Sequence, residues 1–74
     1  MTNEDYNWIH ETLNFYTKKG VSLHITFKSG QWANGRVISI GKDRLVLDEE
    51  RFGEMLVLFE RIKEDGIEPR EEKE

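Results

Sequence analysis

Cysteine is absent from this chain, and with it go disulfides and thiolate metal sites as a means of holding a small fold together. Histidine is scarce: His10 and His24 stand apart, with no HxH or HxxxH spacing to set two imidazoles on one metal. No glycine-rich loop leads into a helix, so a phosphate cradle is missing, and no nucleophile stands with a base. Neither an enzyme nor a cofactor or metal is therefore expected. Nothing approaches the roughly 18 apolar residues of a membrane span, and no secretory leader is visible. A cytoplasmic protein without membrane contact is the expectation. Seventy-four residues make one domain, which at this size buries only about 60% of its unfolded surface. A core so small, with exposed strand edges, favours completion by oligomerisation.

What is plentiful is charge. Charged residues are 35% of the chain, against about 25% in an ordinary domain, while aromatics stand at 11%. That suits a folded domain with a heavily solvated surface. The net charge of −4 argues against nucleic acid until its distribution is read. Residues 1–47 carry six bases and four acids, a net of +2, whereas residues 48–74 carry five bases and eleven acids, a net of −6. Acidity belongs to the C-terminal third, and one face can remain electropositive.

The stretch 21–40 organises the chain. Val21, Leu23, Ile25 and Phe27 alternate with Ser22, His24, Thr26 and Lys28, the period of a half-buried strand. Ser29-Gly30 then offers the left-handed residue of a tight hairpin. The return strand holds Asn34-Gly35 at its middle, where a glycine marks a bend, a bulge or a close backbone approach; we read a bend that lets one long strand serve both halves of a small barrel. Ahead of it, Tyr6, Ile9, Leu13 and Tyr16 recur at helical spacing, widened by Trp8 and Phe15, and predict a helix over 3–19. Thr2 and Asp5 resemble its capping box, and Gly20 its left-handed stop. After the hairpin come a turn at 41–43, a strand at 44–48, a polar loop at 49–53, a strand at 54–59 apolar on both faces, a break at Glu60-Arg61 and an acidic closing strand to Ile67. The expectation is a mainly β domain over 1–69: an N-terminal helix, then a small, strongly bent, five-stranded antiparallel barrel over 21–69. Residues 70–74 read as a disordered acidic tail.

This layout resembles the Sm/LSm family, and within it the bacterial Hfq branch. The likeness rests on Leu13-Asn14 late in the helix, then Val21, Leu23, Ile25, Gly30, Gly35, Val37 and Ser39, and continues through Leu45, Val46 and Leu47. It spans about 13–47. The resemblance implies a homo-oligomeric ring, five to seven subunits in the family, that binds single-stranded RNA as a chaperone or scaffold of RNA metabolism. On the helix side, where the family holds uridine-rich RNA, the corresponding residues are Lys42 and Asp43, with Arg44 beside them, and Arg61 would take the part of the arginine of the Sm-type Arg-Gly motif, at the place of the Tyr-Lys-His turn of Hfq-like proteins. The lysine and histidine of that turn have no counterpart in Leu58-Phe59-Glu60-Arg61. On the opposite face, where the family binds adenine-rich strands, Thr26, Lys28, Gln31, Trp32 and Asn34 would line the first hairpin. Lys18 and Lys19 occupy the place of a basic rim.

Three readings stay open. One is the RNA-binding ring, with Trp32 stacking a base. Another is a protein-interaction or scaffolding module on the same barrel that binds no RNA, which the acidic C-terminal third favours; Trp32 would then pack on a neighbouring subunit or on Lys28. The third is an unrelated SH3-like barrel from a larger complex. Fold alone does not separate them.

Overall fold

The computed structural model describes residues 6–70. Helix α1 (Asn7–Lys18) buries Ile9 and Leu13 completely, while Tyr6, Trp8 and Tyr16 pack partly against the core. Phe15, assigned to the same stripe, lies on the solvent side and is 55% exposed. Lys18 sits in the last turn, at the negative end of the helix dipole, and Gly20 at φ +67° reverses the chain. The capping pair Thr2 and Asp5 lies outside the described residues.

Five antiparallel strands follow: β1 (Leu23–Phe27), β2 (Trp32–Ile40), β3 (Arg44–Glu49), β4 (Gly53–Leu58) and β5 (Ile62–Pro69), with a single 3-10 turn (Phe59–Arg61) before the last. Their order is β4-β3-β2-β1-β5. The domain is thus mainly β, one helix and a five-stranded antiparallel sheet, consistent with an Sm-like fold. The sheet is not closed, however: β4 and β5 are its two edges and do not pair.

The alternation seen in β1 does what it predicts. Leu23 and Ile25 are fully buried, and they join Ala33, Leu45, Leu47, Val57, Phe59, Ile62 and Ile67 beneath α1. Phe59 closes the helix end of this core, its ring edge-on to Tyr6 at 5.3 Å and to His10 at 5.1 Å. β4 is less symmetric than its sequence suggests. Val57 is buried, but Leu56 is 57% exposed.

Strand β2 lies between β1 and β3 in the open sheet, and Gly35 is where it changes partner, pairing with Leu23 on β1 and with Glu49 on β3. Its φ is not left-handed. What excludes a side chain is closeness: a Cβ there would collide with the Asp48 carbonyl oxygen, 2.7 Å from its carbon and 3.0 Å from Glu49 Cα. The irregularity lies further along, where Val37 pairs with Leu47 and Ser39 with Val46, leaving Ile38 as a bulged residue, 50% exposed. A second bulge sets residues 63–66 of β5 opposite Thr26, with Asp65 at φ +61°. Arg70, which the sequence places in the tail, sits on the domain: its N–H donates to Ser22 at 2.9 Å and its guanidinium pairs with Glu50 at 3.0 Å. Residues 71–74 lie outside the described residues.

Candidate nucleic-acid interface

Because the sheet stays open, a trough runs between β4 and the β1–β2 hairpin. Its larger part, about 690 Å³, has Phe27, Val57 and Leu58 among its apolar lining and Lys28, Gln31 and Arg61 among its polar residues. A smaller hollow of about 410 Å³ adjoins it, sharing Phe27, Gln31 and Met55 and adding Trp32, Arg51 and Phe52. The hairpin is fixed by short backbone bonds, Phe27 N–H to Gln31 at 2.8 Å and Gly30 N–H to Phe27 at 2.9 Å. Gly30 takes φ +95°, as the Ser29-Gly30 turn requires. Lys28 donates its own N–H to the Arg61 carbonyl at 2.8 Å, which ties the hairpin to the 3-10 turn.

Of the residues assigned to the face opposite the helix, Lys28 lines the larger trough, Trp32 the adjoining hollow, and Gln31 both. Thr26 and Asn34 line neither. Asn34 faces His24 and the end of β5 instead: with its amide nitrogen donating to His24 Nδ1 at 2.6 Å, its oxygen accepts from Arg70 Nε at 3.2 Å. Trp32 is 46% exposed. Its ring centroid lies 5.6 Å from that of His24 and 4.9 Å from the Arg51 guanidinium, so Trp32 rests on Arg51 and His24, not on Lys28.

The residues assigned to the helix side part company. Lys42, Asp43 and Arg44 form the exposed β2–β3 turn, held under the helix by His10 Nε2 near the Lys42 carbonyl (3.1 Å) and by Phe59 N–H donating to the Asp43 carbonyl (2.9 Å). Arg44 Nε donates to Asp43 Oδ1 at 2.9 Å. That bond holds the Asp43 carboxyl below its ordinary range and raises the Arg44 guanidinium, and Lys42 beside them leaves the turn with a net charge of +1. Arg61 lines the trough with Lys28, on the hairpin's side. Lys18 and Lys19 are exposed at the helix end, Lys19 Nζ standing 4.8 Å from the Phe15 ring.

Pattern reading missed Glu49, Arg51 and Phe52, which it took for a polar loop. Glu49 is 2% exposed. Its Oε1 accepts the backbone N–H of Arg51 (2.8 Å) and of Phe52 (3.0 Å), and its Oε2 accepts that of Asn34 (3.2 Å). Burial pushes this carboxyl up. The three N–H donors and the nearby Arg51 guanidinium outweigh it and hold the group below the ordinary glutamate value. The sequence signal for the cluster was an arginine-aromatic pair in an otherwise polar turn, facing a tryptophan at the start of the neighbouring strand.

Among the described residues no group of three or more histidine, aspartate or glutamate side chains is placed to hold a metal, and no helix is long and apolar enough to cross a membrane. No protein-family model matches the chain, and no curated protein matches it significantly.

Proposed function

We propose that this chain is an Sm-like subunit that binds single-stranded RNA along the trough beside its first hairpin and assembles through its sheet edges into a homo-oligomeric ring. The observation that carries the reading is a half-exposed indole, Trp32, set with Gln31 and Arg51 in a hollow that adjoins a trough lined by Lys28, Gln31 and Arg61. An aromatic face with cations around it is the basic equipment for single-stranded nucleic acid, because every base has a π-face and every phosphate a charge. The acids of the chain's last third do not oppose this. Glu49 is consumed by backbone N–H groups, Glu50 pairs with Arg70, and Glu60 is the acid that lines the trough with these bases.

Assembly follows from the edges. β4 and β5 end the sheet on opposite sides, each with one row of backbone groups unpaired within the chain. Joining β4 of one copy to β5 of the next is a heterologous contact, which closes into a ring when its rotation permits. A copy added on β4 borders the trough, so each interface repeats one hairpin and one Trp32, and weak contacts add through avidity. The test is light scattering with titration of labelled oligo-A and oligo-U at several salt concentrations. Saturable binding that weakens with salt, by about 0.7 in log–log slope per neutralised phosphate, is expected. Trp32→Ala should lower affinity about tenfold and leave most of the slope in place. A monomer that binds neither oligonucleotide at about 50 mM salt refutes the reading and leaves the chain as a protein-binding module.

A further inference from the structure

We infer that Trp32, Phe52 and Arg51 form a latched slot for a single nucleobase, in which Arg51 holds the place of the base in the free protein and moves to a phosphate when the base enters. The inference rests on the RNA-binding reading for the class of ligand, but its geometry stands apart from it. Two large aromatic side chains lie exposed, Trp32 at the start of β2 at 46% and Phe52 in the β3–β4 turn at 70%. One planar group touches both: the Arg51 guanidinium, 4.9 Å from the Trp32 ring and 5.1 Å from that of Phe52. A guanidinium is flat and delocalised, and it stacks on aromatic faces much as a base does.

The backbone that carries the two rings is tied together by one buried carboxylate. Glu49 accepts from the backbone of Asn34, two residues beyond Trp32, and from the backbone of both Arg51 and Phe52. The turn at 50–52 is therefore locked to the start of β2, and Glu50 N–H donating to the Asn34 carbonyl at 2.9 Å adds to the lock. Backbone already tied in this way loses little further freedom on binding. The Arg51 side chain, by contrast, is loosely held. It is 58% exposed, and its Nε lies 3.8 Å from a Glu49 oxygen that already serves a backbone N–H. An exposed cation–π contact is weaker than base stacking on an aromatic ring, so an entering base displaces the guanidinium. Freed, Arg51 remains at the mouth, where the phosphates of the same strand pass. Gln31, in the same hollow, supplies an amide to the edge of the base.

The experiment uses the full chain carrying Trp8→Phe, which leaves Trp32 as its single indole, with folding checked by circular dichroism. Trp32 fluorescence is followed while oligo-A, oligo-U, AMP and UMP are added, in this background and with Phe52→Ala or Arg51→Ala. The oligonucleotides should quench Trp32 saturably. Phe52→Ala should weaken binding about tenfold with the salt slope unchanged, whereas Arg51→Ala should lower that slope by about 0.7. If the oligonucleotides bind but Trp32 is not quenched and Phe52→Ala binds within twofold, the slot is refuted and the RNA reading stands. An unchanged slope in Arg51→Ala refutes the latch. Saturable, Phe52-dependent quenching by AMP or UMP without any binding of oligonucleotides supports the slot and refutes the RNA reading. No quenching by any of the four, together with no binding of either oligonucleotide, overturns both.

Discussion

Replacing Gly35 by alanine tests the central feature of the fold, the residue at which β2 passes from β1 to β3. Alanine is the smallest possible insult, one methyl group. At a position without left-handed φ it would ordinarily stabilise by about 0.4–1 kcal/mol, since it restricts the unfolded chain. Here the methyl meets backbone alone: the Asp48 carbonyl oxygen inside contact distance, its carbon at 2.7 Å and Glu49 Cα at 3.0 Å. No flexible side chain can turn aside, so β3 must retreat by roughly 1 Å. The rungs joining Gly35 to Glu49 and Arg36 to Asp48 are then stretched. Weakening two ladder hydrogen bonds at about 1 kcal/mol each, with one buried group left unpaired, costs about 3 kcal/mol. A domain of this size has about 4–11 kcal/mol in total. The melting temperature should fall by roughly 12–24 °C, measured by circular dichroism on the assembled protein at fixed concentration. Gly35→Val should fail to fold. A Gly35→Ala protein that melts at or above the parent temperature refutes the close-approach argument, because even the sign would be wrong.

Other substitutions probe the remaining parts of the molecule. Glu49 titrates below its unfolded value of about 4.5, so its stabilisation is fully present above that pH and is lost as pH falls through the lower folded value. Glu49→Gln should accordingly melt lower at pH 7 and show a shallower loss between pH 5 and pH 3; parallel pH profiles for the two proteins would exclude the role given to the carboxylate. Leu56 on the β4 edge is exposed in the single chain, so Leu56→Lys should leave the circular dichroism spectrum intact while light scattering reports dissociation. An unchanged oligomer would remove β4 from the interface. Lys42, in the helix-side turn, does not line the trough. Lys42→Ala should therefore leave the salt slope of RNA binding within about 0.3 of the parent, against a loss near 0.7 if that turn holds a phosphate.

The helix and the first hairpin were legible because their signals are local. A 3.6-residue recurrence picks out Ile9 and Leu13, a two-residue alternation picks out Leu23 and Ile25, and a Ser-Gly pair marks the turn whose glycine takes φ +95°. Gly35 also announced itself as a place where a side chain does not fit. Its reason, the Asp48 carbonyl on the facing strand, comes from a residue thirteen positions away. The bulge at Ile38 was invisible for a related cause: a register shift belongs to a pair of strands, and the alternation within one strand carries no record of it. Likewise, an acid followed by polar residues reads as a solvated loop, and only the arrival of the Asn34 N–H beside the Arg51 and Phe52 amides turns Glu49 into a buried anchor. The sequence by itself determined one helix, five strands, a hairpin with an indole and the segregation of acid to the last third. Tertiary structure decided that the sheet stays open, that Arg61 stands beside Lys28 in the trough, and that Trp32, Arg51 and Phe52 meet, because pairing register and strand order bring together groups that no local period relates.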